Sequence, residues 1–185
     1  RKLVILASCC LSLLIVTMDM TIVNVAIPSI RTEFGASGPQ LQWVIDIYTL
    51  VLASLLLLAG AAGDRWGRRG VFQTGLVVFA VGSLLCSLAP SIGMLIAARF
   101  VQAIGGSMLN PVAMSIITQV FTDRVERARA IGVWGAVVGI SMSLGPIIGG
   151  ALIQYVGWRS VFWINLPICL AAVVLTAIFV PESKS

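Results

Sequence analysis

Long apolar blocks, separated by short breaks that carry charge, glycine or proline, run the whole length of this chain. Six blocks approach or exceed the roughly 20 residues that a helix needs to cross a bilayer; they lie near 3–30, 41–62, 71–89, 92–120, 130–153 and 161–180. Within them the apolar residues form continuous blocks rather than amphipathic stripes, so the solvent they predict is lipid. The breaks hold turn chemistry: 31–40 with Gly and Pro, 63–70, Pro90-Ser91, 122–129 and 154–160. Strands of a membrane barrel would be near ten residues and alternate in polarity, which these blocks do not do.

The blocks also repeat. Spans one to three begin near 3, 41 and 71 and spans four to six near 92, 130 and 161, each about 90 residues on. Arg69-Gly70-Val71-Phe72 and Arg159-Ser160-Val161-Phe162 align at that offset. Each unit has an odd number of spans, so the second unit is upside down relative to the first. The predicted fold is an all-α membrane bundle of six transmembrane helices, two inverted three-helix repeats forming one domain over residues 1–185. Inverted repeats are a transporter signature, although a channel or scaffold can share them.

Charge sets the orientation. Of 185 residues only 10% are charged, while 59% are hydrophobic. With the N-terminus inside, Arg1, Lys2, Arg65, Arg68, Arg69, Arg124, Arg127, Arg129 and Lys184 face the cytoplasm, and only Arg31 and Arg159 face out. That bias predicts cytoplasmic termini. It also explains the net charge of +5 by topology and anionic lipid, so no nucleic-acid partner is expected. Cys9, Cys10, Cys86 and Cys169 all lie in apolar blocks without metal or redox spacing, and are expected to pack as small hydrophobes. Leu6-Ala7-Ser8-Cys9 imitates a lipoprotein cleavage box, but the apolar run before it is too short for a signal peptide and continues past the cysteine. The first residue is Arg rather than Met, and the chain is expected to be a piece of something longer.

Three ionisable side chains fall inside spans: Asp19, Asp46 and Arg99. Each costs at least about 2.5–3.5 kcal/mol to insert, and such residues face a partner or a water-filled cavity. At about 1.5 Å per residue, Asp46 and Arg99 lie roughly 8–10 Å below the outer surface and Asp19 about 16 Å down. An ion-pair network that only locks helices together would leave one carboxylate over, and a carboxylate without a cation in such a medium can load and release a proton. Backbone irregularities accompany the charges. Asp19, Thr21 and Asn24 precede Pro28 in span one, and Asn110-Pro111 interrupts span four. Small residues that permit close helix approach recur at Gly105-Gly106 and at Gly132, Gly135, Gly139, Gly145, Gly149 and Gly150; Gly145-Pro146 favours a kink in span five.

Four motifs, in order along the chain, resemble those of the major facilitator superfamily, and within it the drug:proton antiporters of the EmrB/QacA type. Gly60-x3-Asp64-Arg65-x-Gly67-Arg68-Arg69 is similar to the signature between helices two and three. Arg99-x2-Gln102 with Gly105-Gly106 is similar to the helix-four motif, with Ala103 where the family usually has Gly. Gly132-x8-Ser141-x3-Gly145-Pro146-x2-Gly149-Gly150 resembles the antiporter motif of helix five, with Ser141 at a usual Gly. Met18-Asp19-Met20-Thr21-Ile22-Val23-Asn24-Val25-Ala26-Ile27-Pro28 resembles the helix-one motif of the fourteen-helix branch, as do Trp158-Arg159, Phe162 and Asn165-Leu166-Pro167.

The resemblance implies an N-terminal half, with a C-terminal bundle of six or eight helices lying outside this chain. It implies an integral protein of the bacterial plasma membrane, exporting lipophilic, cationic compounds by alternating access. The proton gradient would be the energy source, with no metal or other cofactor. Asp19 and Asp46 would take protons or meet cationic drugs, and Arg99 would help relay the proton. Pro146 and the helix-five glycines would shape the interface with the other half. Asp64, at the C-terminal end of a helix dipole that disfavours it, would use the 63–70 loop as a latch towards the missing half. A proton-coupled exporter or symporter of one metabolite, and a six-helix channel or assembly subunit, stay open. An enzyme is not expected: there is no histidine, and no paired metal ligands, phosphate loop or dinucleotide fingerprint.

Overall fold

The computed structural model describes residues 2–179, apart from the side chains of Lys2, Gly60, Gly63, Asp64 and Phe179. All regular secondary structure among the described residues is helical: α1 (Lys2–Phe34), α2 (Gly38–Trp66), α3 (Arg68–Leu88), α4 (Ile92–Ser107), α5 (Asn110–Val120), α6 (Arg124–Tyr155), α7 (Ser160–Trp163) and α8 (Asn165–Phe179). Helices α4 and α5 together make the fourth of six membrane-length spans, and α7 and α8 the sixth.

The helices run past the expected ends because the breaks are tighter than their composition suggests. The 31–40 break shrinks to residues 35–37, where Gly35 takes φ 60°. Ser37 and Gln40 then form a reciprocal capping box: Ser37 N donates to Gln40 Oε1 (2.9 Å) and Gln40 N donates to Ser37 Oγ (3.3 Å). The 122–129 break shortens likewise. Asp123 caps α6 by accepting from Glu126 N, and Arg127 donates to the carbonyls of Phe121 (2.9 Å) and Thr118 (2.7 Å) at the end of α5. The expected 63–70 loop is a correction: α2 runs through residue 66, α3 opens at Arg68, and the whole reversal falls on Gly67 at φ 105°. A left-handed backbone of that kind suits glycine alone.

The repeat is visible in the helices. First residues 2, 38 and 68 answer to 92, 124 and 160, offsets of 90, 86 and 92 residues. Gly67 also has a counterpart 90 residues on, Gly157, with φ 128°. Each of these glycines precedes an arginine two residues later and a fully buried Phe five residues later, Phe72 or Phe162.

Two apolar clusters fill the bundle. One, towards the chain's N-terminus, gathers Ile15, Val16, Tyr48, Phe72, Leu76, Phe79, Ala103 and Val112. The other gathers Ile22, Ile30, Val44, Cys86, Leu95, Ala98 and Phe162. In four helices the chain passes from one cluster to the other within a few residues, at 16–22, 44–48, 79–86 and 98–103, and the polar side chains sit at those crossings. At the far end Arg159 closes the bundle. It donates to the carbonyls of Ser87 and Ala89 (both 2.9 Å) at the end of α3, pairs with Glu33 (3.4 Å), and lies 4.4 Å from the Trp158 ring. Trp158 Nε1 donates to the same Glu33 carboxylate, tying the start of span six to the end of α1.

Candidate functional site

Asp19, on α1, is 1% exposed and forms an ion pair with Arg99 Nη1 of α4, itself 1% exposed. Arg99 Nη1 also donates to Gln102 Oε1 (2.8 Å), three residues on along the same face. The Gln102 amide donates to Asp19 Oδ1 (3.2 Å) and to Ser83 Oγ of α3 (2.7 Å). Ser83 Oγ accepts a second bond from Asn165 Nδ2 of α8 (3.1 Å), and the Cys86 thiol donates to Gln102 Oε1 (3.7 Å). From α2, the Val44 carbonyl accepts from Arg99 Nε (3.1 Å), and the Tyr48 ring lies 4.1 Å from the guanidinium carbon. Among the described residues this one buried layer therefore joins five of the six spans, and the fifth span, α6, is the one that contributes nothing to it. In a low-dielectric interior such a layer persists because its members satisfy one another.

Close approach of α3 and α4 makes the layer possible. A Cβ on Gly82 would lie 2.5 Å from both Cα and N of Gln102, and one on Gly105 would lie 2.8 Å from Phe79 Cα. Glycine at these two positions lets the backbones touch, which brings Ser83 within reach of Gln102.

The third expected ionisable residue lies elsewhere. Asp46 is exposed on α2 and accepts from Gln42 Nε2 (2.9 Å). Val44 and Tyr48 share the helix face that meets Arg99, and Asp46, two residues from each, sits on the opposite side. It is the carboxylate left over. On α1, Thr21 Oγ1 donates to Met18 O (3.0 Å), while Asn24 and Pro28 lie exposed on the helix. Asn110 opens α5 with Pro111 in its first turn, where a missing N–H costs nothing. Of the expected latch, Arg65 is exposed and lies 5.3 Å from the Trp66 ring, Arg68 is buried and Arg69 half-buried. The side chains of Gly60 and Asp64 lie outside the described residues.

The helix-five motif divides into two faces. Ser141, Gly145 and Gly149, spaced by four, are buried, and α6 rests mainly on α1. A Cβ on Gly149 would lie 2.6 Å from Ile22 Cγ1, and one on Gly145 would collide with Thr21 Oγ1. Gly132, Gly135, Gly139 and Gly150 have nothing among the described residues within 4 Å of a Cβ position, and Pro146 is exposed. These two helices thus meet along a seam that starts two residues from Asp19. We expect Gly145→Ala to weaken transport, and Thr21→Ala, which removes the colliding hydroxyl, to restore much of the loss. Additive defects in the double variant, measured by efflux at equal expression, would contradict this packing.

The sequence singled out Asp19, Arg99 and Gln102, which the structure brings together, but not Ser83, Tyr48 or the Val44 carbonyl, and it placed Asn165 in a motif without a role.

Comparison with known proteins agrees with this architecture. The profile of the family described as Major Facilitator Superfamily matches residues 9–185. The multidrug efflux pump LfrA of Mycolicibacterium smegmatis is 40% identical over all of this chain and 36% of its own length. The methylenomycin A resistance protein of Bacillus subtilis is 42% identical over 89% of this chain and 35% of its own. The riboflavin transporter RibZ of Clostridioides difficile is 37% identical over 98% of this chain and 40% of its own. The chain thus spans 40% or less of the length of these curated relatives. Among solved structures, the human organic anion transporter MFSD10 superposes with a TM-score of 0.79 at 18% identity, covering 98% of this chain and 48% of that one. A bacterial homologue of the lysosomal transporter Spinster gives 0.75 at 23%, covering 96% and 42%.

Proposed function

The chain belongs to the Major Facilitator Superfamily, and on that premise we propose that it is one half of a proton-coupled antiporter exporting lipophilic, cationic compounds. That it is an integral membrane transport protein and not an enzyme follows from the family; direction, coupling and substrate are our reading. The observation that carries it is the buried Asp19 carboxylate, held by one cation and one amide within a layer that joins five spans. Protonation at Asp19 removes half of an ion pair in the middle of the bundle, and so changes what holds α1 to α4.

In this reading Asp19 is the proton site and Asp46, on the exposed face of α2, is the carboxylate that meets a cationic compound. Arg99 fixes the proton site and Gln102 relays its state to α3. Helix α1 passes a change at Asp19 to α6 through Thr21 and Ile22 against Gly145 and Gly149. The second half, with six or eight helices, completes a cavity around which the two bundles rock. Asp64 latches the cytoplasmic side to that half, both termini of this chain lie in the cytoplasm, and the membrane is the bacterial plasma membrane. Protons, membrane lipid and the exported compound are the partners, and the proton gradient supplies the energy without a cofactor. Relatives associated with multidrug efflux and with resistance to an antibiotic support export.

Cells expressing the complete transporter should keep a cationic dye at a low internal level, and a protonophore should abolish that difference. Dye efflux that ignores the proton gradient would refute coupling. A second reading, proton-coupled transport of a single metabolite, draws on the riboflavin transporter among the relatives. Riboflavin flux that follows the proton gradient in cells with unchanged dye levels would favour it.

A further inference from the structure

We infer that Tyr48 is the neutral counter-group that holds the Arg99 cation while Asp19 is protonated. The inference rests on the proton-coupled reading for its role in transport, but not for its physical content. A guanidinium does not lose its proton inside a protein. When Asp19 becomes neutral, Arg99 therefore stays charged, fully enclosed, and without its carboxylate, an arrangement that is strongly unfavourable unless something else answers the charge.

No other described carboxylate can do so. Asp46 points away from Arg99 on the opposite face of α2 and is engaged with Gln42. Glu33 is bound to Trp158 and Arg159 at one end of the bundle, and Asp123 caps α6 at the other. Glu126 lies on the first turn of α6, beside that cap. What remains around the guanidinium among the described residues is the Val44 carbonyl, the Gln102 amide oxygen, the Cys86 thiol, which is itself a donor to that oxygen, and the Tyr48 ring. Of these, α2 supplies two: a carbonyl at the edge of the guanidinium and a ring across its face.

The ring is suited to the part. Its negative face attracts a cation without carrying a charge that must itself be desolvated. A bare cation feels that attraction in full, whereas an ion pair feels less, because the carboxylate is repelled by the same face. The ring thus holds the bare cation more firmly than it holds the ion pair. The Tyr48 hydroxyl has no hydrogen-bond partner among the described residues, and it lies close to Gly106, where a Cβ would be 3.2 Å away. The hydroxyl therefore adds little to the task, which belongs to the aromatic face.

The test is a cycle of variants in the complete transporter. Asp19→Asn mimics the neutral acid permanently. Tyr48→Leu should lower the melting temperature more in the Asp19→Asn background than in the wild type, and Tyr48→Phe should lower it in neither. Equal decrements in the two backgrounds would overturn the inference, whatever the transporter carries. In proteoliposomes, Tyr48→Leu should bind a cationic dye normally yet release protons on dye addition about tenfold less effectively, the factor that the loss of about 1.4 kcal/mol of cation–π attraction supplies. Tyr48→Phe should restore release. This assay decides the matter even if Asp19→Asn does not fold: a Leu variant that releases protons like the wild type, or a Phe variant as defective as Leu, overturns the inference. A wild-type protein that binds dye without releasing protons would instead count against the antiport reading, leaving the stability cycle to judge Tyr48.

Discussion

Asp19→Asn is expected to reduce proton-driven dye efflux to the level of cells without the transporter, while the protein still inserts and folds. The amide oxygen of asparagine can accept from Arg99 Nη1 as Asp19 Oδ2 does, so part of the contact survives. The other oxygen becomes an N–H2 group facing the Gln102 amide, which now donates at a donor, and the buried cation has no anion. The lost chemistry is specific: an amide cannot bind and release a proton near neutral pH. Energy-independent exchange of dye across the membrane should therefore persist when net efflux driven by the gradient has gone. Asp46→Asn should behave differently. That carboxylate takes no part in the buried layer, so the variant should keep proton-dependent transport of uncharged compounds and lose affinity for cations. Wild-type efflux by Asp19→Asn, at equal protein level and in the same gradient, would overturn the role assigned to Asp19.

This division between the two acids shows where the sequence is legible and where it is not. The spans could be read because a bilayer demands about 20 apolar residues and tolerates no open backbone, so length and polarity alone place them. Asp19 and Arg99 stood out for the same reason, since a charge in an apolar block is expensive. Their count, two acids to one base, implied a spare carboxylate but not which one it was. That depends on the rotation of α2 about its axis, and α2 carries apolar residues all round. Only the packed structure shows that Val44 and Tyr48 turn inwards and Asp46 outwards. Ser83 and Asn165 were invisible for a related reason. A serine within a span commonly satisfies itself against its own helix, as Ser12 and Ser107 do, and nothing local marks one that reaches across. Gly67 misled in the other direction. Its charged neighbours read as a loop, yet a single positive φ reverses the chain and leaves those neighbours helical. The glycine run of α6 was legible as a packing surface, but its division into a seam against α1 and an open face was not.

The largest structural effect is expected at the α3–α4 contact. In lipid, apolar surface gains nothing by leaving the solvent, so helices associate through close packing and the polar bonds that packing permits. Gly82 and Gly105 make that packing here. An added methyl on Gly82 meets Gln102 Cα and N at 2.5 Å and its Cβ at 2.7 Å. None of these atoms is the free end of a flexible side chain, so relief requires the two helices to move apart. Overpacking costs about 1–3 kcal/mol where side chains can adjust, and the cost should exceed that range where backbone is the obstacle. Separation also draws Gln102 away from Ser83, breaking a 2.7 Å bond and loosening the amide that holds Asp19. Gly82→Ala should therefore lower the melting temperature and efflux together, and Gly82→Val should yield little folded protein. Gly132→Ala and Gly139→Ala supply the contrast: among the described residues neither position has an atom within 4 Å of an added Cβ, and within this bundle both should be neutral or slightly stabilising. If Gly82→Ala matched them in thermal stability, the α3–α4 contact would not be the element that aligns the buried layer.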